Sequence, residues 1–527
     1  MRKAHMHWAD HAARVLSERG GPQTVASGIT PSGSFHIGHL REILSAEMIH
    51  RSCLDRGIES RYIFIVDSMD PLRRVYSFLD DSYGQYIGHP LAFIPAPGVD
   101  GKPDASIGNY ADHFLSPFLK ALEAIGVVPE VVLNHEVYAS GALENRIHSA
   151  IEKRDEIRSI IENISGRDLD ESWFPYNPLG SDGSLDGVRV TGYDRPYVHW
   201  KDRHGVEGKS DIRKADGKMP WRVDWAARWG LHGITCEPAG KDHGSAGGSY
   251  DTGMPISRLL GHEPPSKMVY EWIQIKGMGP MSSSSGNTIG PLETLEIVPP
   301  EIVRYMIART KMTKHIDFNT GNMLFETADE YERLVKIPPQ VRDDEPRRKQ
   351  VAAATAHGAL RLSQIARDVP IEAGQVPFRH LSLLAQIRSE DELVWESLRK
   401  SGHLSGNPSK ALKLRLTRMR AWINGRHFPE ESRIEISKIV DRAILDSLDN
   451  NQIAFIRHLG TQLKECEWSD SAIGSLIVDS MGVCDIGAKK GYLAIYSILI
   501  KRRNGPKAST LMVECARDEL SELFSLT

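Results

Sequence analysis

Two histidines near the amino terminus, His36 and His39, have the spacing and the setting to bind a phosphate group. They end the stretch 27–39, whose other residues are mostly small and include three glycines. A β-branched segment precedes this stretch and a helical pattern follows it. A strand, a turn of small residues and a helix N-terminus form an anion site, because free backbone N–H groups point at the ligand. A glycine-rich turn with two solvated histidines is the alternative, and the strand-turn-helix context favours the phosphate site.

The elements on either side must hold this turn in place. Residues 23–26 are predicted to form a buried strand, and residues 40–51 a helix with one apolar side. Residues 61–66 form a second apolar run, which is typical of a strand buried on both faces of a parallel sheet. The sequence therefore predicts an open parallel sheet, in which ligands bind outside the carboxyl ends of the strands.

Two carboxylates follow the second predicted strand. Asp67 comes directly after it and Asp70 three residues later. At the carboxyl end of a parallel strand they are placed to meet a cationic substrate group, such as an ammonium. The alternative for each residue is an aspartate that caps a turn.

A serine-rich loop is the third candidate for chemistry. Residues 269–275 are predicted to form a strand that leads into Lys276, then to Pro280 and the run 281–287. A flexible linker is the alternative interpretation. We reject it because the loop follows an apolar strand directly and precedes a helix, residues 300–307, with proline and glutamate at its start.

These stretches resemble the signatures of class I aminoacyl-tRNA synthetases. The segment 36–39 matches their HIGH motif, and the surrounding Gly-Ile-Thr-Pro-Ser-Gly narrows the resemblance to the class I lysyl-tRNA synthetases. The resemblance extends diffusely over residues 7–314 and is most specific in 28–39, 221–229 and 240–251. The serine loop lies where the KMSKS motif of that family belongs.

The match in the serine loop is partial. Met281, Ser282 and Ser284 agree with the family motif, whereas Pro280 and Ser285 stand where lysines are expected. The segment 311–314, Lys-Met-Thr-Lys, looks more like the signature. It lies after a helix, however, and lacks the strand-then-loop setting.

The resemblance implies a reaction and a set of site residues. It implies that lysine, ATP and tRNA(Lys) give lysyl-tRNA through an enzyme-bound lysyl-adenylate, with Mg²⁺ on the phosphates. The implied catalytic residues are His36, His39 and Lys276. The implied ATP-binding residues are Pro31, Gly38, His39, Met281, Ser282, Ser283, Ser284 and Ser285. The implied lysine-binding residues are Gly28, Thr30, Trp221, His243 and Tyr270, to which the strand-end position adds Asp67 and Asp70. Aromatic faces suit an ammonium and its aliphatic stem.

Length and composition are compatible with this interpretation. A chain of 527 residues is too long for one simple core. Its five cysteines are scattered without a Cys-x-x-Cys pair, which argues against a disulfide framework or a cysteine zinc site and fits a reducing cytoplasm. We expect no signal peptide and no membrane span. The net charge of −4 does not indicate a nucleic-acid-binding protein, so a tRNA partner would need a local basic surface. No DNA partner is expected.

The fold class expected is α/β: a Rossmann-like parallel-sheet catalytic domain with an insertion, followed by an all-α C-terminal domain. The boundaries are 1–81 for the first half of the catalytic domain, 82–217 for the insertion, 218–328 for the second half and 329–527 for a helical, anticodon-binding region. In that last region the basic stretches 410–420 and 501–503 and the segment 489–492, with Tyr492, are either solvated helix surface or RNA contacts.

Two expectations complete the interpretation. Family relatives have paired cysteines for zinc in the insertion, whereas this chain has only His199 and His204 as weak ligand candidates, so no metal site and no zinc are expected. The missing loop lysines leave open a catalytically weak paralogue that binds tRNA or lysine. A synthetase for another amino acid, such as glutamate, is the second alternative.

Overall fold

The computed structural model describes residues 6–275, 279–280, 288–367 and 376–525. A five-stranded sheet lies at the centre of its amino-terminal part. We number its strands β1 (Gln23–Ile29), β2 (Ser60–Val66), β3 (Glu130–Leu133), β4 (Cys236–Gly240) and β5 (Ser266–Tyr270).

All neighbouring strands of this sheet are parallel, in the order β5-β4-β1-β2-β3. Val25 of β1 pairs with Tyr62 on one side and Cys236 on the other. The chain leaves β1 toward β2 and later returns to the other side of β1 as β4, so the strand order reverses there. A crevice at the carboxyl ends of β1 and β4 is the site that this topology favours for a ligand. The two strands predicted first, within β1 and β2, are confirmed.

Helices cover the sheet and connect its strands. We number three of them α1 (Leu40–Asp55), α2 (Tyr110–Ala124) and α3 (Trp221–His232). The apolar side of α1 packs on the sheet, as predicted from the sequence. Further helices associated with the sheet are Trp8–Ser17, Asn134–Ala139, Glu144–Glu152, Arg154–Ser165, Lys241–Gly244, Ser249–Leu259, Pro291–Ile297, Pro300–Ala308 and Arg347–Leu362, with short 3₁₀ turns at Ile37–His39, Asp81–Tyr86 and Leu91–Phe93.

The prediction of one continuous strand over residues 269–275 is wrong. The chain leaves the main sheet after Tyr270, and Ile273–Ile275 pairs in a small second sheet with Gly279–Pro280 and Ile316–Phe318. The backbone explains the break: Glu271 N–H donates to Met312 O at 2.8 Å, and Trp272 O accepts from Ile316 N–H at 3.0 Å. These long-range bonds draw the chain away from the main sheet.

The segment 82–217, predicted to be an insertion, also contributes to the central sheet. It supplies the edge strand β3, with α2 as the connection from β2. The single helix expected over 144–164 is two helices, Glu144–Glu152 and Arg154–Ser165. The remaining strands of the segment form small antiparallel sheets: Pro95–Pro97 with Pro103–Asn109, Asn177–Pro178 with Gly217–Lys218, and Arg189–Asp194, Tyr197–Lys201 and Glu207–Asp211 together.

The chain divides into two compact units, 1–319 with 337–371 and 320–336 with 372–527. Buried arginines of the first unit hold its second segment. The Arg304 guanidinium donates to Leu362 O at 2.9–3.0 Å, and Arg51 donates to Gln364 O and Ile365 O. The helix Arg347–Leu362, which the sequence assigned to the C-terminal region, therefore packs in the first unit.

The second unit contains no strand among its described residues, which confirms an all-α C-terminal region. Phe378–Ile387 and Asp391–Lys400 are separate helices, and the following segment contains a 3₁₀ turn, Glu430–Ser432, and a short helix, Arg442–Ser447. No single described helix is long and apolar enough to cross a bilayer; Asp470–Val483 and Ala488–Ile500 reach that length only as a pair, bent by 119°. The helices are Asn322–Lys336, Phe378–Ile387, Asp391–Lys400, Lys410–Asn424, Arg442–Ser447, Asn450–Leu463, Asp470–Val483, Ala488–Ile500, Ala508–Val513 and Arg517–Ser525.

Candidate active site

The predicted phosphate-binding turn joins β1 to α1. His36 precedes a single 3₁₀ turn, Ile37–His39, and α1 begins at the next residue. The Gly38 N–H donates to His36 Nδ1, and the His36 N–H to His39 Nδ1, both at 3.1 Å. A Cβ at Gly38 would lie 2.7 Å from the His36 ring, so glycine is required there. The two rings are 4.0 Å apart, which confirms that the sequence motif brings both histidines to one place.

Burial keeps both imidazoles neutral near pH 7 in the ligand-free chain. Removal from water, together with the smaller effect of the neighbouring His39, lowers the pKa of His36 to about 3. Burial likewise lowers the pKa of His39 to about 4. Because Nδ1 of His36 accepts a backbone N–H, its proton is on Nε2. His36 therefore presents a neutral N–H donor of the kind that binds a phosphate oxygen.

Aromatic packing fixes the turn from behind. Phe35 stacks on Phe118 of α2 with ring centroids 4.2 Å apart, and its ring meets His39 edge-on at 5.1 Å. The Ile37 N–H donates to Ile289 O at 3.0 Å. The described ends of the serine loop thus lie close to the histidines, although Lys276 and Met281–Ser285 are outside the described residues. Their predicted roles stay predictions.

The two strand-end aspartates have basic partners within the chain. Asp67 forms a buried ion pair with Arg228, and Asp70 one with Lys218. Thr30 Oγ1 donates to Asp70 Oδ2 at 2.7 Å. Sequence reasoning expected these carboxylates to meet a substrate cation and did not foresee partners that follow about 150 residues later.

A buried aspartate of α3 completes this network. Asp224 Oδ2 lies 3.2 Å from Arg228 Nε and 3.9 Å from Lys218 Nζ. Burial alone would lower the pKa of Arg228, but the carboxylates of Asp67 and Asp224 outweigh burial and raise it. The same balance raises the pKa of Lys218. Both cations stay charged, so Asp67 and Asp70 each have a charged partner before any substrate binds. Three carboxyls share these two cations, and burial raises the pKa of Asp67 to about 7.

Two other carboxyls, Glu42 and Glu237, have no basic side chain within 4 Å among the described residues. Glu42, in the first turn of α1, accepts the Gly28 N–H and the Tyr270 hydroxyl, each at 2.9 Å. Glu237 of β4 accepts Trp229 Nε1–H at 2.6 Å. Burial raises the pKa of Glu42 to about 8, an effect that the nearby Glu237 and Asp67 increase, and burial also raises that of Glu237.

Sequence reasoning missed both glutamates. The signal for Glu42 was its place three residues after His39, but an acidic residue in a first helical turn is usually explained by the helix dipole. Glu237 had a weaker signal, as a charged residue within a predicted buried segment. Gly28 and Tyr270, the hydrogen-bond partners of Glu42, were both predicted site residues, and the structure brings them to this one carboxyl.

The tryptophans of α3 separate into core and site positions. Trp225 and Trp229 are buried, as expected for core residues, whereas Trp221 is half-buried. Trp221 stacks on Trp225 at 5.1 Å and lies 5.8 Å from the half-buried His243 ring. The Arg228 guanidinium lies 5.6 Å from the Trp221 ring. Arg228 therefore connects the Trp221–His243 pair to Asp67, and the predicted lysine-binding residues form one connected cluster.

The described residues contain no group of three or more His, Cys, Asp or Glu side chains arranged to hold a metal ion. His199 contacts Asp194 and His204 contacts Asp182, in exposed pairs.

Comparison with known proteins gives the family of the chain. Residues 6–359 match the family model described as tRNA synthetases class I (K). The lysine–tRNA ligase of Archaeoglobus fulgidus is 36% identical over 523 residues, covering 98% of this chain and 99% of the relative. That of Picrophilus torridus is 34% identical over 525 residues, covering 99% of each. Lysine–tRNA ligase 1 of Methanosarcina acetivorans is 36% identical over 95% of each chain. The family model covers more than half of the chain and the relatives match it over nearly its full length, so this chain belongs to the class I (K) tRNA synthetase family.

Proposed function

We propose that this chain joins L-lysine to tRNA(Lys) with ATP, through lysyl-adenylate. The observation that supports the proposal most is the carboxyl of Glu42, which Gly28 and Tyr270 orient and which has no basic partner among the described residues. Ionising a buried carboxyl is costly unless a cation comes with it. An ammonium group of lysine supplies that cation. The printed names of the relatives agree with this substrate.

The aromatic side chains suit the rest of the amino acid. Trp221 and His243 are both half-buried and adjacent, so they offer ring faces to a bound side chain. An ammonium binds favourably over an aromatic face, and the four methylenes of lysine bury apolar surface against it. A glutamate substrate would instead bring a third negative group toward Glu42 and Glu237.

The first step requires positioning more than covalent help. A carboxylate oxygen of lysine attacks the α-phosphorus of ATP, the bond from that phosphorus to the bridging oxygen breaks, and pyrophosphate leaves. The Nε2–H of His36 donates to a phosphate oxygen and stabilises the charge that develops there. ATP is implied by the family, and Mg²⁺ would neutralise the phosphates. We propose Lys276 and the serine loop as further contacts to the triphosphate.

The second step transfers the lysyl group. A ribose hydroxyl at the 3′ end of the tRNA attacks the carbonyl carbon of the adenylate, and AMP leaves with the bonding electrons. The reaction uses tRNA(Lys), L-lysine and ATP in the cytoplasm, without a membrane or DNA partner. The helical second unit is the proposed site of anticodon binding.

Pyrophosphate exchange with each of the twenty amino acids, in the presence and absence of tRNA, tests this proposal. Of the twenty amino acids, we expect only lysine to support pyrophosphate exchange, and we expect tRNA(Lys) to be charged with lysine. Exchange with glutamate would assign the chain to another amino acid. Absence of exchange with any amino acid under both conditions would support the catalytically weak paralogue.

Substrate analogues show which ammonium Glu42 binds. 2-Aminohexanoic acid lacks the ε-amine, and 6-aminohexanoic acid lacks the α-amine. If Glu42 binds the ε-ammonium, then Glu42→Gln weakens binding of lysine and of 6-aminohexanoic acid but not of 2-aminohexanoic acid. The opposite pattern assigns Glu42 to the α-ammonium. Equal effects on all three ligands would remove Glu42 from direct contact with lysine.

A further inference from the structure

The segment after Asp70 combines exposed positive charge with flat aromatic groups. Arg73 and Arg74 are exposed, and Tyr76 and Phe78 are half-buried. The rings of Tyr76 and Phe78 are parallel within 2°, with centroids 5.6 Å apart. The guanidinium of Arg74 lies 5.3 Å from the Tyr76 ring. We call these four residues the 73–78 platform.

The platform is anchored at both ends, so its shape does not depend on a ligand. Leu72 exchanges backbone bonds with the segment 88–89: its N–H donates to His89 O, and its O accepts from Gly88 N–H, both at 2.9 Å. At the other end Asp80 N–H donates to Gly101 O at 3.0 Å. A segment held in this way loses little conformational entropy when it binds a ligand.

The platform lies directly against the candidate active site. A Cβ at Gly33, in the phosphate-binding turn, would be 2.9 Å from the Phe78 ring. Phe78 also meets Phe114 of α2 edge-on at 5.5 Å. Tyr110, at the start of the same helix, donates its hydroxyl to Ser32 O at 2.8 Å. The platform, the helix α2 and the turn therefore form one continuous surface.

The two arginines form no ion pair with a carboxylate among the described residues, in contrast to Arg228 and Lys218 inside the site. Exposed guanidiniums free of carboxylates are available for phosphate. Parallel aromatic rings and guanidinium planes are surfaces on which unpaired bases stack. The combination suits single-stranded RNA better than an acidic peptide, which would use the charges and leave the rings without a partner.

We propose that the 73–78 platform binds the unpaired 3′ end of the tRNA as that end enters the active site. Bases stack on Tyr76 and Arg74, and Arg73 contacts the phosphate backbone. This assignment rests on the proposed function, because lysyl transfer requires the 3′ terminal ribose at the adenylate. The nucleotides just before that ribose must then cross the surface beside the phosphate-binding turn.

The direct test follows the stacking itself. A hairpin RNA with the tRNA(Lys) acceptor stem has 2-aminopurine placed in its unpaired 3′ end, and base stacking on the platform is read as fluorescence quenching. We expect quenching with the wild-type protein, its loss with Tyr76→Ala and its recovery with Tyr76→Phe, which keeps the ring. We also expect kcat/KM for tRNA to fall about ten-fold or more in Tyr76→Ala, as for the loss of one stacking partner. Unchanged quenching in Tyr76→Ala would overturn the proposal.

The charge test uses a matched arginine on the opposite edge of the sheet. Arg56 is exposed and follows the end of α1, so the 16 residues of that helix separate it from the phosphate-binding turn. The double variant Arg73→Gln/Arg74→Gln should lower RNA affinity and reduce the salt slope of binding by about 0.7, the value for the one single-strand phosphate contact assigned to Arg73. Arg56→Gln should leave both unchanged. If Arg56→Gln lowered RNA affinity as much as the double variant, the effect would be one of overall charge, and the proposed role of the platform would be wrong.

Each outcome also separates the platform from the proposed function. The hairpin experiment requires no aminoacylation, so it decides the platform even if the wild-type chain charges no tRNA with lysine, a result that would contradict the proposed function alone. Wild-type charging with unchanged kinetics and quenching in Tyr76→Ala would contradict the platform alone. Calorimetric binding of lysine and the thermal midpoint should be unchanged in Tyr76→Ala, which verifies that the site remains folded.

Discussion

Individual side chains in this site differ mainly in whether the chain itself supplies their counter-charge. Asp67 and Asp70 have Arg228 and Lys218 as partners, so the chain itself supplies a cation to each of them. Among the described residues, Glu42 has hydrogen-bond donors, from Gly28 and Tyr270, and no basic side chain within 4 Å. A buried carboxyl without a positive partner lowers the stability of the fold. It is well suited to recognising a cation, because the bound ligand then supplies the missing positive charge.

The lysine affinity should therefore depend on the ionisation of Glu42. Its pKa is raised from 4.5 to about 8 by burial, and a bound ammonium favours the ionised form. Lysine binding should release a proton below pH 8, and the affinity should increase as the pH rises toward 8. Calorimetry in buffers of different ionisation enthalpy measures that proton. Glu42→Gln should abolish the proton release and weaken lysine binding by about 1.5–3 kcal/mol, the scale of a hydrogen bond to a charged group.

The same residue gives a stability check with a defined sign. A carboxyl whose pKa is raised on folding destabilises the folded state progressively as the pH rises from its unfolded to its folded pKa. The thermal midpoint of Glu42→Gln, measured relative to wild type, should thus rise between about pH 4.5 and pH 8 and then level off. A constant difference over this range would contradict the raised pKa.

His36 should act as a neutral donor in the transition state. We expect His36→Ala to lower kcat for adenylate formation by about 10²–10³-fold with little change in the KM for lysine, as for one lost preorganised donor. Because its pKa is about 3, the activity should show no titration of His36 between pH 5 and 8. His11, an exposed histidine in the helix Trp8–Ser17, serves as the control through His11→Ala. Near-wild-type pyrophosphate exchange in His36→Ala would remove His36 from the site.

Among the elements, the small sheet of the segment 177–211 shows how a buried carboxylate adds to apolar packing in holding short turns. The Asp202 carboxylate accepts the Ser181 N–H at 3.2 Å and hydroxyl at 2.5 Å, and it accepts the N–H groups of His204 and Val206 at 2.9 Å each. One carboxylate thus ties two turns together, in a region where family relatives were expected to use zinc. The bond from Ser181 and those from the backbone lower the pKa of Asp202.

Asp202→Ala should unfold these turns locally, because four donors lose a shared acceptor. Hydrogen exchange over residues 177–211 should increase strongly while the central sheet stays protected. Asp194→Ala, an exposed carboxylate of the same small sheet, is the matched control and should change little. Chelators should not alter the exchange, and elemental analysis should find no stoichiometric zinc. One zinc per chain would refute this account.

At the scale of the whole molecule, the first compact unit consists of two separate parts of the chain. Its second part, the segment 337–371, follows the helix Asn322–Lys336, which belongs to the other unit. This segment supplies backbone carbonyl groups to buried guanidiniums. Arg304 and Arg51, which share the buried carboxylate of Glu47, would lose several acceptors without it. Unpaired buried guanidiniums are among the costlier defects in a protein interior.

Two truncations should therefore behave differently. A fragment ending at residue 371 retains the acceptors for Arg304 and Arg51, and we expect it to fold and to bind lysine and ATP. A fragment ending at residue 328 lacks them and should unfold or aggregate. Neither should charge tRNA efficiently, because both lack most of the helical second unit. Circular dichroism and calorimetric titration measure folding and binding. Equal stability of the two fragments would contradict the role of the segment 337–371.

The sequence by itself determined the features that depend on local chemistry. Small residues between an apolar strand and a helix predict the phosphate-binding turn, because only that composition lets backbone N–H groups approach an anion. Apolar runs predict β1 and β2, and helical periodicity predicts the second unit. Gly28 and Tyr270 were identified as site residues, and the structure brings both to Glu42.

Only the tertiary structure decided which buried carboxyls have a basic partner within the chain. Asp67 and Asp70 have the same local setting that suggests a ligand site, and their partners Lys218 and Arg228 lie about 150 residues away in the chain. No local pattern records that pairing, because an ion pair depends on distance in space. The same reason hid the break after Tyr270, where backbone bonds to Met312 and Ile316 redirect the chain. Long-range pairing thus left Glu42 and Glu237 as buried carboxyls without a basic side chain within 4 Å in the described part of the chain.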